Sequence, residues 1–159
     1  CMQNPAAELI HKLRGPSLRC RTGIVLLAPD DLGYEAGLAV RLGVDAEDYV
    51  KVLLENLAPD ARFVGIGDEE EEQRLHRIAQ ANGGPVVLVY NFDVALTRMK
   101  WQQRERLWRH LFAHFPHRRR ALLLAVPEKA HELLPAGTDR RMWEKDGRIV
   151  PASERAIAF

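Results

Sequence analysis

Three apolar runs of strand length constrain this chain more than any other feature: "TGIVLLA" from Thr22, "PVVLVYNF" from Pro85 and "RALLLAVP" from Arg120. None alternates apolar with polar residues. Such a run suits a strand whose sheet is covered by helices on both faces. Helical patterns lie between the runs. "PAAELIHKLRG" predicts a short opening helix over 5–15, with Pro5 in its first turn and Gly15 past its end. "GYEAGLAVRLG" and "DAEDYVKVLLENL" read as successive helical segments, with Asp45 as the N-cap of the second. "ARFVGIG" is a further strand candidate, and "DEEEEQRLHRIAQANGG" is a helix with acids in its first turn and glycines at its end. "KWQQRERLWRHLFAHF" is an amphipathic helix and "EKAHELL" a short one. "RRMWEKDGRIV" predicts a closing hairpin turned at Asp146-Gly147, within a C-terminal segment 140–159. Strand and helix in alternation argue for a three-layer α/β domain, helices on either side of a mainly parallel sheet.

With 159 residues, 47% of them apolar, the expectation is one domain over 1–159. The formal net charge of +1 excludes a global field that would drive binding to nucleic acid or membrane, so any such contact must be local. Cys1 and Cys20 form neither a metal spacing nor a disulfide framework, which suits a reducing compartment. Met2 reads as a natural start, and neither a secretory leader nor a run of about eighteen apolar residues is present. A soluble cytoplasmic protein with no membrane partner is therefore expected.

In open α/β sheets, ligands bind beyond the carboxyl ends of the strands. The segments there are "APDDLGYE", "GDEEEE", "YNFDVALTRM" and "VPEKAHE". They bring Asp30, Asp31, Glu35, Asp68, Asn91, Asp93 and Glu128 to one acidic rim. The first has the rhythm of a phosphate-binding loop: Ala28, Pro29, Asp30, Asp31, one more residue, Gly33, then Tyr34 and Glu35. A working loop carries lysine and a hydroxyl residue at the last two places, the first for the β- and γ-phosphates and the second for magnesium. Tyr34 and Glu35 supply neither, and Asp30 and Asp31 place negative charge where a triphosphate would lie. Tyr90 and Asn91 end the strand that should carry a magnesium-binding acid, with Asp93 two residues late. An ordinary strand-loop-helix turn and a decayed phosphate loop both satisfy this pattern.

From Pro5 to about Pro127 the order of elements resembles a small P-loop, AAA+-like ATPase domain with degenerate Walker A and B motifs. The blocks that carry the resemblance are "IVLLAPDDLGYEAGLAVRLG", "GGPVVLVYNFDVAL" and "RALLLAVPE". In size and in "VVLVYNFDVAL" the chain is similar to the small P-loop proteins of BREX-type phage-defence islands. The resemblance implies an accessory subunit of a multi-component antiviral system. The departures from its pattern at the lysine, the hydroxyl and the strand-end acid leave no catalytic residue and no cofactor expected, with ATP and Mg²⁺ disfavoured. A protein partner or a second copy of the chain would be its ligand.

Two further readings rest on residues alone. Asp30, Asp31 and Asp93 could hold Mg²⁺ in a receiver-like or phosphotransfer protein, although no carboxylate ends the central strand. Arg104, Arg106, Arg109, Arg118, Arg119 and Arg120 stand among Trp108, Phe112 and Phe115, which is a footprint for nucleic acid. Against it, Leu107, Trp108, Leu111 and Phe115 keep helical spacing and should face a core, leaving the arginines as a solvated face. His110, His114 and His117 lack acidic neighbours in sequence and read as surface histidines. "PHRRR" precedes a strand, so it should lie at the amino edge, opposite the acidic rim. Arg140 and Arg141 read as a solvated turn or as arginine fingers acting on a neighbour. Trp101 and Trp143 lie in charged surroundings and are expected to be partly exposed partner contacts. The tail "PASERAIAF" ends apolar, as a docking segment would.

Overall fold

The computed structural model describes residues 4–57 and 65–152. Its elements run α1 (Pro5–Arg14), β1 (Thr22–Leu27), α2 (Glu35–Leu42), β2 (Asp45–Asp48), α3 (Tyr49–Glu55), α4 (Asp68–Gln80), β3 (Val86–Tyr90), α5 (Asp93–Arg98), α6 (Trp101–Ala113), β4 (Ala121–Pro127), α7 (Gly137–Lys145) and β5 (Ile149–Pro151). The five strands form one sheet in the order β2-β3-β4-β1-β5, every pair parallel. The fold is therefore the three-layer α/β arrangement expected from the apolar runs.

The burial of β4 shows why those runs do not alternate. Leu122, Leu124 and Val126 pack with Tyr49, Leu75, Trp108 and Trp143 on one face. Ala121, Leu123 and Ala125 pack with Leu9, Leu13, Leu38 and Ala39 on the other. Successive strand residues point to opposite faces, so a strand covered twice must be apolar at every position. Handedness assigns the layers. The chain leaves β1 for the far edge β2, then steps back through β3 and β4 and passes over β1 to β5. Right-handed crossovers put α2 on one face and the later connections on the other. Between β1 and β4 the outgoing connections part to opposite faces, so the crevice of the sheet opens at their carboxyl ends.

Three expectations need correction. "DAED" is not helical: Asp45–Asp48 forms the edge strand β2, and Asp48 rather than Asp45 caps α3, accepting the Val50 N–H at 3.0 Å. The free edge of β3 recruits these residues, and their charges suit an edge strand exposed to water. No hairpin forms at Asp146-Gly147. Thr138 to Lys145 are helical, and Gly147, at φ +67°, lets the chain reverse into β5, which pairs parallel with β1. "EKAHELL" contributes only a single tight turn at His131–Leu133. The "ARFVGIG" strand and the docking tail lie largely outside the described residues, where Gly65 and Ile66 are irregular. Among the described residues no helix is long and apolar enough to cross a membrane.

Charge is segregated between the two ends of the sheet. Helices return antiparallel to the strands, so their C-termini, with unpaired carbonyls and partial negative charge, collect at the amino edge. Arginines cap them there. Arg21 Nε donates to Leu13 O in α1 at 2.9 Å, and Arg120 Nη1 to Ile78 O in α4 at 3.3 Å. Arg148 Nη1 donates to Phe112 O in α6 at 3.1 Å. Acids collect at the carboxyl edge, where the helix N-termini lie: Glu35 opens α2, Asp48 caps α3, Asp68 opens α4 and Asp93 opens α5. Helix polarity is thus one physical cause of both the acidic rim and the basic edge.

Candidate functional site

The loop after β1 is built on its own carboxylates. From Ala28 the chain makes one tight turn over Pro29–Asp31, and Asp31 folds back so that its Oδ2 accepts the Ala28 N–H at 2.9 Å. The amides of Asp31, Leu32 and Tyr34 donate to carbonyls within the loop. Gly33 takes φ +86°, a conformation that side chains disfavour. Its N–H points to Glu35, whose Oε1 accepts it at 3.0 Å. Glu35 is buried, whereas Asp30 is exposed. Asp31 and Glu35 therefore occupy amide donors that a phosphate-cradling loop would turn toward an anion. Leu32 and Tyr34 project outward instead, 45% and 71% exposed.

The structure brings part of the acidic rim together. Asn91 closes β3 in the left-handed region at φ 60°, a conformation asparagine tolerates better than most residues. Its Nδ2 donates to Asp48 Oδ1 at 3.0 Å and ties the ends of β2 and β3. Asp93 is half-buried, and burial pushes its carboxyl above the ordinary range, with the Glu35 charge adding to the rise. The Tyr90 phenol is also raised, first by burial and then by Asp48, Glu35 and Glu47. Glu35 is therefore an electrostatic neighbour of both Asp93 and Tyr90, and Asp48 of Tyr90. Asp68 is engaged elsewhere: Arg106 Nε donates to it at 3.0 Å and holds its carboxyl below the usual range. Glu128, at the end of β4, lines a separate cavity with Lys129, His131 and Arg140. Asp30 and Asp31, proposed as a magnesium pair with Asp93, point different ways, one to solvent and one back to Ala28. Among the described residues no group of three His, Cys, Asp or Glu stands where it could hold a metal ion.

The arginines of 104–120 are not a simple solvated face. Arg104 Nη1 donates to Met99 O at 2.6 Å and Leu96 O at 3.1 Å, fastening α5 to α6. Arg106 joins α6 to α4 through Asp68, and Arg109 joins α6 to α7 through Asp139 at 3.2 Å, with Glu105 at 2.9 Å as a second partner. Arg118 and Arg119 reach His76 and Asn82 across the amino edge. Arg120 is buried, with Asp45 at 3.2 Å. The structure thus splits the basic stretch between the outer side of α6 and the amino edge, the latter opposite the acidic rim as expected.

Trp143 is a correction: it is 1% exposed and packs edge-on to Trp108 at 6.0 Å, so it lies in the core. Trp101 is 62% exposed, as the exposure part of its expectation required. His110 is only partly exposed, and folding brings it an acidic neighbour from α4 that is remote in sequence. Its Nδ1 lies 3.8 Å from Glu72, and His76, beside it, stacks on Phe115 at 4.5 Å. Burial lowers the His110 pKa, with His114 adding to the fall, and raises that of Glu72, with Asp68 and Glu69 adding to the rise.

Two buried polar clusters have no counterpart in the sequence reading. Glu71, fully buried in α4, accepts from Tyr49 Oη at 2.8 Å, Arg74 Nη1 at 2.6 Å and the Gly67 N–H at 3.2 Å. Burial, reinforced by Glu71, pushes the Tyr49 phenol far above its usual value. Arg148 lies over the rings of Phe112 and Trp143 at 4.6 and 4.8 Å and donates to Thr22 O at 2.8 Å and Thr22 Oγ1 at 2.6 Å. In sequence Glu71 is one of five consecutive acids, Asp68 to Glu72, and only the i,i+3 spacing to Arg74 hinted at pairing. Compared with protein-family models, curated proteins and solved structures, the chain matches none.

Proposed function

We propose that this chain is a non-catalytic, P-loop-like interaction subunit whose former phosphate loop is closed by its own carboxylates. The observation that carries this reading is the occupation of the Ala28 and Gly33 amides by Asp31 and Glu35. An incoming phosphate would have to displace two carboxylates and then face their charge, with tyrosine at the place of the lysine. The element order supports the resemblance: an opening helix, β1 with its loop and α2, the "VVLVYNFDVAL" block, a long helix and β4 succeed one another. Leu32, Tyr34 and Trp101 are exposed and belong to elements that meet the carboxyl edge of the sheet. They are the anchors of the kind that dominate protein interfaces, aromatic above all. The partner in this reading is a protein, and the resemblance of the sequence to small proteins of BREX-type islands supports a role in a multi-component antiviral assembly.

The test is an NMR titration with ATP, with and without Mg²⁺, read at the amides of residues 28–35. No saturable change is expected below about 1 mM, where binding is worth only about 4 kcal/mol. Micromolar binding at those amides overturns the proposal.

A further inference from the structure

The segregation of charge by helix polarity is not complete. Lys129, His131 and Arg140 lie at the carboxyl end of the sheet, where α2, α4 and α5 start with acids. They cap no helix C-terminus. Arg140 stands near the start of α7, where the helix dipole disfavours a cation. They line a cavity of about 470 Å³ that reaches across the ends of three strands, with Leu26 of β1 and Pro151 of β5, paired in register, as apolar lining and Glu128 after β4 as the acidic member. Such a volume lies within the usual range of small-molecule sites, and its position at the crevice between β1 and β4 is where open sheets bind ligands.

The cations are available for a ligand. Among the described residues Lys129 and His131 have no ion-pair or side-chain hydrogen-bond partner. Arg140 uses only its Nε, toward Glu144 at 2.9 Å, leaving both terminal amino groups. Two permanent cations and an imidazole from separate segments suit a group with several anionic oxygens. The apolar lining suits a body attached to it. We infer that this cavity binds a small organic phosphate monoester, with Arg140 and Lys129 on the phosphoryl oxygens, His131 as a third donor and the organic part against Leu26 and Pro151. The site is separate from the loop after β1 and does not rest on the reading of that loop.

Phenyl phosphate, inorganic phosphate and benzoate are the probes, titrated into the full chain and followed by ¹H–¹⁵N NMR. Phenyl phosphate should saturate and shift the amides of residues 128–131 and 140, and the other two probes should bind at least about fivefold more weakly. The double variant Lys129→Ala, Arg140→Ala should weaken phenyl phosphate at least tenfold. Arg118→Ala, Arg119→Ala removes the same charge elsewhere and should leave binding unchanged. Equal weakening by both variants, or shifts that fail to saturate, would reduce the cavity to nonspecific attraction and overturn the site. Tighter binding of a phosphotyrosine peptide than of phenyl phosphate would overturn the small-molecule assignment.

Discussion

Removal of the Glu35 carboxylate tests the logic of the closed loop directly. In the structure this buried side chain does two opposing things. It accepts the Gly33 N–H at 3.0 Å from the first position of α2, where the helix dipole favours negative charge. It also faces Asp93 and raises that carboxyl further above its ordinary value. Loss of a hydrogen bond to a charged acceptor costs about 1.5–3 kcal/mol when the donor is left buried. Gly33 is exposed, so water replaces the carboxylate and the cost falls to the lower end. The dipole adds about 0.3–1 kcal/mol, and relief of the repulsion with Asp93 offsets part of it. Glu35→Ala should therefore destabilise the fold by about 1.5–2 kcal/mol at pH 7, a fall in Tm of about 3–8 °C for a chain of this size. Glu35→Gln keeps an acceptor and should lose less. Urea unfolding measures the stability, and NMR titration measures Asp93. In both variants the Asp93 pKa should fall toward its ordinary value. An unchanged Gly33 amide shift together with an unchanged Asp93 titration would refute the geometry from which this was reasoned.

The tryptophans should separate cleanly in urea. Trp143→Ala is expected to cost about 3–5 kcal/mol as a core deletion, while Trp101→Ala should stay within about 0.5 kcal/mol and instead weaken partner binding by more than about 1 kcal/mol; equal stability losses would contradict the assigned burial. Arg148→Ala leaves the Thr22 and Phe112 carbonyls without their donor and should cost about 2–4 kcal/mol, with a loss below about 1 kcal/mol counting against a structural role. For pH, burial lowers the His76 and His110 pKa values in the folded state, so the unfolded chain binds more protons near the ordinary imidazole range. Stability should therefore fall as pH drops from 7 toward 5, and His110→Phe should flatten that fall; a pH slope unchanged by the variant would show that other groups carry it.

The covered parallel sheet was legible in the sequence because a strand buried on both faces must be apolar at every position, and three segments are. The helices around it were legible from their caps and periodicity. The acidic rim and the basic amino edge followed once the strands were placed, since helix polarity sorts charge by the direction of the chain. Edge and closing elements were not legible. "DAED" becomes a strand only because β3 offers it a free edge, and Asp146-Gly147 ends a helix instead of turning a hairpin because β5 finds its partner in β1 from across the sequence. The same limit applies to individual charges. Glu71, Arg120 and Arg148 have the local sequence of solvated residues, yet each is buried by segments distant in the chain and held by hydrogen bonds that exist only after folding. Local sequence sets backbone preference and the average direction of a side chain. Which carboxylate fills a loop's amides, which tryptophan reaches water and which cations are left without partners are settled by tertiary contacts, because desolvation and pairing depend on neighbours that no short stretch of sequence contains.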